Sequence, residues 1–404
     1  MSDTLLRWVC TGAALGALCM TAPPAQAAPT PEGQSVTALL TDLHRLYRSA
    51  EEASETYNAT EEKLKKQRAR AKALDDALAK ARAAVRDSRG DAGLFARQQY
   101  QGTTELSPYV RLLLARDPQR ALDQGHVIGR VAAGRAATVQ RLVGGEKKAD
   151  DLARAAKKAL TAQAALAARQ KKQRDKVEGQ LREVEELLSS LSADQLAALR
   201  EAEEAGTAEA QEEFLASGAL GEPGAYGAPG VYGAPGASGA RGGSPATRPP
   251  SRQGDKALDY AVRQIGRPYK WGAEGPKAFD CSGLTSRAWA HAGRKIPRTS
   301  QEQWAELRRI PLSKLRPGDL VVYFRKATHV AMYLGDGKVV QAPRPGARVK
   351  VSPIAANPVL GAVRPDPGGR AVSTYTPPKL PEGATSGSDL GYGGGQAPGA
   401  TDSR

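Results

Sequence analysis

Cysteine is scarce in this sequence. The chain has three cysteines among 404 residues, and two of them, Cys10 and Cys19, lie in the first twenty positions. If a leader containing those two is removed, Cys281 is the only thiol left and no internal disulfide can form. Two interpretations of Cys281 stay open at this point. It is an inert core cysteine, since free cysteine is among the most buried residue types, or it is a reactive thiol.

Long hydrophobic runs are also missing. An apolar run over residues 8–20 is too short to span a bilayer, and it precedes Ala25-Gln26-Ala27. An apolar run followed by a small-x-small site is typical of a cleaved secretory signal. The sequence therefore predicts a signal peptide at 1–27 and an exported protein.

Motifs that bind cofactors or metals are a third absence. The sequence contains no phosphate-binding loop and no cluster of metal ligands. One cysteine and one well-placed histidine are too few ligands for zinc. We therefore predict neither a cofactor nor a metal.

Acidic residues are few in the C-terminal part of the chain. The formal charge is +15, and residues 251–370 hold 22 Lys and Arg against 9 Asp and Glu, a balance of +13. Such a surface attracts polyanions. Export favours anionic wall polymers or membrane surfaces over nucleic acid as partners, and an ordinary solvated basic surface explains the charge equally well.

Two long segments repeat apolar positions in alternating steps of three and four residues. The first runs from Leu43 to Val85 and the second from Leu152 to Leu191, with Glu, Lys and Arg between the seam positions. Sustained heptad spacing of this kind predicts a coiled coil. The segments can fold back as an antiparallel pair or can each pair with another molecule, and the sequence does not choose. Short helices predicted near 94–122 either pack at the tip of such a hairpin or form a lid over Cys281 or a partner-docking element.

Composition divides the chain into five parts. Glycine, alanine, proline and serine dominate residues 218–250, and the tail is similar. This composition cannot form a packed core. The expected organisation is a signal peptide at 1–27, a helical coiled-coil stalk at 32–217, a disordered linker at 218–250, a basic domain at 251–370 and a disordered tail at 371–404.

Cys281 is expected at the N-terminus of a helix. Residues 281–292 have helical character, Gly293 closes them, and Asp280 precedes them as a candidate cap. Unpaired amides and the helix dipole at such a position favour the thiolate, which is the nucleophilic form of cysteine.

A nucleophilic cysteine needs a base, and the sequence offers four histidines. His44 and His126 lie in the stalk, and His291 is ten residues along the Cys281 helix, roughly 15 Å away by helical rise. His329 remains. It begins a β-branched and apolar run that predicts a strand, where an ordinary strand histidine is the alternative interpretation.

Four segments in unbroken order resemble the NlpC family (NlpC/p-sixty) of peptidoglycan endopeptidases. They are Gly266-Arg267-Pro268-Tyr269-Lys270-Trp271-Gly272, Asp280-Cys281-Ser282-Gly283-Leu284, Arg316-Pro317-Gly318-Asp319-Leu320 and His329-Val330-Ala331-Met332-Tyr333-Leu334-Gly335. The resemblance covers about residues 251–370 and implies a papain-like domain, in which a helix bearing the cysteine packs on a small antiparallel sheet bearing the base. The expected fold class is an all-α coiled-coil N-terminal region plus an α+β papain-like (NlpC-type) C-terminal domain, joined by a disordered linker.

The resemblance implies a role for each matching residue. Cys281 is the nucleophile, His329 is the base, and Gln341 is the third residue, which orients the imidazole. Family members often carry His or Glu at the third position, so Gln341 is a departure. Its side-chain carbonyl can still fix the tautomer, although it cannot stabilise imidazolium with a full charge.

The substrate cleft is implied to include Tyr269, Asp280 and Ser282, with local scaffolding as the alternative role for each. Arg298, Ser300 and Gln303 also look family-like, and their roles stay open.

Gln341 imposes a geometric condition. A two-residue turn at Asp336-Gly337 would pair Gln341 with Met332 and turn it away from the sheet face that holds His329. The assignment therefore requires a three-residue loop or a glycine bulge within 335–337.

The function implied by the resemblance is hydrolysis of peptidoglycan stem peptides at the cell wall, between D-glutamate, through its γ-carboxyl, and the diamino acid. The stalk more distantly resembles the coiled-coil arms of secreted wall hydrolases that stay inactive until a membrane-bound division regulator engages them. Two alternatives stay open: an inactive wall-binding or scaffold protein of the division machinery, and a thiol-dependent acyltransferase or amidase.

Overall fold

The computed structural model describes residues 35–101, 110, 118–221 and 248–387. The predicted signal peptide lies outside the described residues, as do most of the predicted linker and the end of the predicted tail. The described residues form a helical arm, made of three helices, and a C-terminal domain built on one sheet. No helix among the described residues has the length and apolar character needed to cross a membrane.

The helical arm begins with two long antiparallel helices. α1 is Val36–Gln101 and α2 is Pro118–Ser189. Gln67 Nε2 donates to the carbonyl of Ala159, while Arg89, further along α1, pairs with Glu146, which comes earlier in α2. The heptad seam is buried as predicted, because its apolar side chains face the partner helix; the buried members include Leu43, Leu64, Leu78, Val177 and Val184. Of the two arrangements left open by the sequence, the structure has the fold-back pair.

α3, Ala193–Ala216, turns the arm back toward the C-terminal domain. Ser192 Oγ accepts a hydrogen bond from the Gln195 amide, and Gln195 Oε1 accepts one from the Ser192 amide, which together form a capping box. Leu199 of α3 is fully buried against Leu39 and Leu191, so the helix is anchored to the base of the arm.

The C-terminal domain is α+β, as predicted. Its helices are α4 Arg252–Val262, α5 Cys281–His291 and α6 Ser300–Glu306. Its strands are β1 Arg308–Ile310, β2 Leu320–Tyr323, β3 His329–Gly335, β4 Lys338–Gln341, β5 Lys350–Pro353 and β6 Val359–Arg364. All pairings between these six strands are antiparallel, and the strand order is β1-β6-β2-β3-β4-β5.

The sheet is covered on both faces because its strands are apolar on both. On one face, α4 and α5 bury side chains such as Leu258, Leu284 and Trp289 against Val330 and Met332. On the other face, Phe214 of α3 and Leu220 just after it pack against a cluster that includes Val321, Tyr323, Ala331 and Val339. The arm therefore supplies part of the domain's packing.

Contacts of the domain continue beyond residue 370, where the sequence predicted the tail to begin. The amide of Val372 donates to the carbonyl of Pro250 at 2.9 Å. Ala384 is 5% exposed, and its carbonyl accepts a hydrogen bond from the amide of Val351 at 2.8 Å. The described part of the tail, up to residue 387, thus lies against the sheet domain.

Candidate functional site

Cys281 is the first residue of α5, and local sequence explains why the helix begins there. Asp280 is the N-cap, and its Oδ1 accepts a hydrogen bond from the Gly283 amide at 2.6 Å. A side chain at Gly283 would place its Cβ 2.2 Å from the carbonyl oxygen of Ala273, so only glycine allows this close approach. The Cys281 thiol is buried, at 3% exposure, and it receives a hydrogen bond from the Val330 backbone.

His329, the neighbour of Val330, is the first residue of β3. Its Nε2 lies 2.7 Å from Gln341 Oε1, and both residues are 1% exposed. Because an amide oxygen can only accept, Nε2 carries the hydrogen and neutral His329 presents Nδ1 as its basic nitrogen.

The turn between β3 and β4 contains the irregularity that Gln341 requires. The register shifts between Tyr333 and Gly335, and Asp336 and Gly337 both have positive φ, at 50° and 68°. Met332 therefore pairs with Val340 rather than with Gln341. Gln341 then falls on the same face as His329, because side chains alternate along each strand.

A buried arginine organises the wall of the cleft beside Cys281. Arg298 Nη2 donates to Asp280 Oδ2 at 2.7 Å, and Nη1 donates to Asp280 Oδ1 at 3.0 Å and to Ser282 Oγ at 2.8 Å. Its Nε contacts Glu274 at 2.9 Å, at the more exposed edge. Asp280 thus has two roles, as helix cap and as the acidic member of this cluster.

The remaining residues predicted for the cleft lie around the same cluster. Ser282 is fully buried, and Gln303 Nε2 donates to its carbonyl at 3.3 Å and to that of Pro297 at 2.9 Å. Gln303 thereby holds the first turn of α5 against the loop that leads to Ser300. Tyr269 is half-buried with its hydroxyl on the inside, where burial and then the nearby Cys281 and Asp280 raise its pKa well above the ordinary value.

Comparison with known proteins bears on this cleft. Residues 266–361 match the model of the NlpC/P60 family. A probable endopeptidase of Corynebacterium glutamicum is 43% identical over 116 residues, which make up 29% of this chain and 56% of that protein. Residues 266–361 form an NlpC/P60 domain.

Other relatives of the NlpC/P60 domain differ in their described activity. The peptidoglycan endopeptidase RipA of Mycolicibacterium smegmatis is 42% identical over 123 residues, 26% of this chain and 25% of that protein. The solved structure of RipD from Mycobacterium tuberculosis, described as a non-catalytic NlpC/p60 domain protein adapted to peptidoglycan binding, is 32% identical. The match covers 28% of this chain and 96% of the RipD chain, with a TM-score of 0.26. The matched part of the chain therefore spans a little over half of the Corynebacterium glutamicum protein and a quarter of the Mycolicibacterium smegmatis RipA.

The cleft of the NlpC/P60 domain is filled by α1. Glu55 Oε1 accepts from Ser282 Oγ at 2.8 Å and lies 3.8 Å from Cys281 Sγ, while its Oε2 accepts from the Ser300 amide at 2.8 Å. One turn further along, Asn58 Nδ2 donates to Asp280 Oδ2 at 3.1 Å. Both side chains are almost completely buried.

Further contacts surround this insertion. Glu51, one turn before Glu55, has its Oε1 3.7 Å from His329 Nδ1. Because Glu51 and Glu55 are neighbours on one helix face, their contacts place His329 and Cys281 in the same cleft. At the rim, Lys326 Nζ pairs with Glu52 at 2.8 Å.

The carboxylates of α1 change the electrostatics of the thiol. Burial, followed by the charges of Glu55, Asp280 and Glu51, raises the pKa of Cys281 well above its ordinary value, against the opposing hydrogen bond from Val330. The helix N-terminus that would favour a thiolate is therefore outweighed while α1 occupies the cleft.

The segment that covers Cys281 is not the one that the sequence suggested. Part of 94–122 lies outside the described residues, and Leu94 is 39 residues along α1 from Glu55, roughly 60 Å by helical rise. The covering residues are Glu51, Glu55 and Asn58, buried polar positions beside the heptad seam. In sequence they cannot be distinguished from an ordinary solvated face of a coiled coil, so no local signal identifies them.

Proposed function

We propose that this protein is an exported cell-wall hydrolase, a cysteine endopeptidase that cleaves peptide bonds in peptidoglycan stem peptides. The observation that carries the proposal is the meeting of Cys281, at the start of α5, with the His329–Gln341 pair in one cleft of an NlpC/P60 domain. The predicted signal peptide supports export and action at the cell wall.

The arrangement suits thiol catalysis in two stages. His329 Nδ1 takes the proton of Cys281, whose sulfur attacks the scissile carbonyl, and the same proton then goes to the leaving amine as the thioester forms. Water activated by His329 hydrolyses the thioester and regenerates the thiol. Gln341 accepts from Nε2–H throughout, which keeps the basic nitrogen directed at the reacting atoms.

The polar groups of the cleft support a γ-glutamyl substrate. A D-glutamate linked through its γ-carboxyl keeps a free α-carboxylate, and Ser282 Oγ, the Ser300 amide and Arg298 already hold a carboxylate, that of Glu55. The buried carboxylate of Asp280 is suited to the free amino group of the substrate residue that precedes D-glutamate. We therefore place the scissile bond between D-glutamate and the diamino acid.

The arm is proposed to keep the enzyme inactive until it leaves the cleft. With Glu55 against both Ser282 and the thiol, no peptide can reach Cys281. An exported hydrolase with such an arm needs an activating partner, and a membrane-bound division regulator is our candidate.

The test uses the full chain with the cleft opened. Glu55→Arg places a guanidinium against Arg298 and should expel α1, whereas Glu186→Arg makes the same charge change at an exposed position of α2. We expect Glu55→Arg to cleave purified muropeptides after D-glutamate, as read by product mass. Glu55→Arg combined with Cys281→Ala should lose activity by roughly a thousandfold or more, and Glu186→Arg should match the wild type.

A second candidate function is a non-catalytic wall-binding module, which the neutral Gln341 favours. Rapid alkylation of Cys281 in Glu55→Arg would establish that the cleft is open. Muropeptide binding without cleavage in that open protein would select the binding module, and a product with a new acyl acceptor would select an acyltransferase.

A further inference from the structure

Glu55 and Asn58 enter the cleft as a pair of opposite polarity. The carboxylate of Glu55 meets hydrogen-bond donors, Ser282 Oγ and the Ser300 amide. The amide nitrogen of Asn58 meets an acceptor, Asp280 Oδ2. The cleft thus has an anion-binding end and a cation-binding end, and α1 presents a suitable group to each.

The anion-binding end of the cleft depends on its occupant more than the cation-binding end does. Asp280 and Ser300 are both fully buried. A buried donor or acceptor that loses its partner destabilises the structure by about 1–3 kcal/mol. When α1 leaves, the Ser300 amide loses its carboxylate acceptor, whereas Asp280 Oδ2 keeps Arg298 and the Gly272 amide as donors. An occupant that replaces α1 must therefore bring an anionic acceptor, and a donor facing Asp280 adds a further hydrogen bond.

The charges show that α1 fits the two ends only in part. Arg298 contacts Asp280 and Glu274, and the Glu55 carboxylate adds a third negative charge next to one guanidinium. Asn58, opposite Asp280, is neutral. The pKa of Glu55 is raised to about 7, first by burial and then by the negative charge of Asp280.

We propose that α1 closes the cleft as a substrate mimic, with Glu55 in place of a substrate carboxylate and Asn58 in place of a substrate ammonium group. This inference rests on the proposed substrate class. A peptide with both a free amino group and a free carboxylate supplies the positive charge that Asn58 lacks, so it competes with the arm for the same two ends. Substrate and arm are then mutually exclusive ligands of one cleft.

The test separates arm release from catalysis. Asn58→Asp keeps the side-chain size and sets a carboxylate against Asp280, which should release α1, whereas Thr56→Asp adds the same charge at an exposed position of α1. Closure is read from the yield of the zero-length carbodiimide crosslink between Glu52 and Lys326, which are in contact in the wild type. Ligand binding is read by calorimetry with the dipeptide L-alanyl-D-glutamate, which has a free amino group and a free α-carboxylate.

We expect Asn58→Asp to lower the crosslink yield and to tighten the apparent Kd of the dipeptide at least tenfold, because binding no longer has to displace the arm. Thr56→Asp should match the wild type in both. Dipeptides with an acetylated amine or an amidated α-carboxylate should lose at least tenfold in affinity for Asn58→Asp.

Two outcomes would overturn the mimicry. One is a lost crosslink with no gain in dipeptide affinity, and the other is equal affinity for the blocked dipeptides. Neither decides the proposed function, because muropeptide cleavage by Glu55→Arg is measured independently.

Discussion

At the scale of single residues, Gln341 can orient the His329 imidazole but places no charge beside it. Gln341 Oε1 holds Nε2–H at 2.7 Å and so selects the tautomer that leaves Nδ1 basic. In the proposed mechanism His329 takes the thiol proton, and a neutral amide cannot stabilise the imidazolium that would form. We therefore expect the residue to act through positioning.

Two substitutions at Gln341 test this positioning role, each combined with Glu55→Arg so that the cleft is open. Gln341→Ala removes the acceptor, and we expect kcat to fall by about ten- to a hundredfold with KM little changed. Gln341→Glu restores an acceptor with a charge, which raises the pKa of His329 and moves the acid limb of the pH–rate profile upward. Lys338→Ala, exposed on the same strand, is the control. An unchanged kcat in Gln341→Ala would remove the residue from the proposed machinery.

At the scale of elements, α3 belongs to the packing of the NlpC/P60 domain although it precedes that domain in sequence. Gln211 Nε2 donates to the carbonyl of Gly337 at 3.0 Å, and its Oε1 accepts from the amide of Ala355 at 3.1 Å. Phe214 covers the sheet face that α4 and α5 leave open. The helix therefore fastens the arm to the sheet on the face opposite α5.

Phe214→Ala should reveal this contribution. Because Phe214 is half-buried, the loss of its apolar contact is expected to destabilise the domain by about 1–3 kcal/mol, less than a fully buried phenylalanine would. The measurement is the urea midpoint of the full chain, followed by tryptophan fluorescence. Leu215→Ala, at a neighbouring position that is 42% exposed, is the matched control. Equal midpoints for Phe214→Ala and the wild type would mean that α3 adds nothing to the domain.

At the scale of the whole molecule, closure of the arm is linked to pH. Burial raises the pKa of Glu51 to about 8, where Arg344 and Arg48 oppose the shift and Glu55 adds to it. The pKa of Glu55 rises to about 7 through burial and Asp280, against Arg298. His329 faces Glu51 as well. In the closed state the buried carboxyl groups of Glu51 and Glu55 therefore bind protons at a higher pH than they would in water.

The sign of the pH dependence follows from these directions. In the open arm both carboxyls return to ordinary values near 4.5, so the closed state binds more protons than the open state between about pH 4.5 and 8. Closure is strongest at the acid end of that window and weakens as pH rises through 7 and 8.

Hydrogen exchange of the Ser300 amide, which donates to Glu55, measures this closure directly. We expect its protection factor, corrected for intrinsic exchange, to fall roughly tenfold or more from pH 5.5 to 8.5. Glu51→Gln should flatten the profile, because it keeps the shape and removes one titrating group. The Gly283 amide, bound to Asp280 inside the domain, is the internal control. A protection factor that rises with pH would contradict the linkage.

Sequence was most informative where local geometry is decided by neighbouring residues. The heptads predicted long helices, Asp280 predicted the start of α5, and the motifs around Cys281 and His329 predicted an NlpC-type domain. If Gln341 is to lie on the sheet face that holds His329, the turn at 335–337 must be irregular, because side chains alternate between the two faces along a strand.

Tertiary structure alone decided what lies over Cys281. The sequence offered a lone thiol at a predicted helix start and, by elimination among four histidines, His329 as its candidate base. Glu51, Glu55 and Asn58 are more than two hundred residues away from Cys281, and on a coiled coil their pattern is that of a solvated face. Their burial depends on how the arm folds back onto the domain, a long-range packing that no local periodicity encodes.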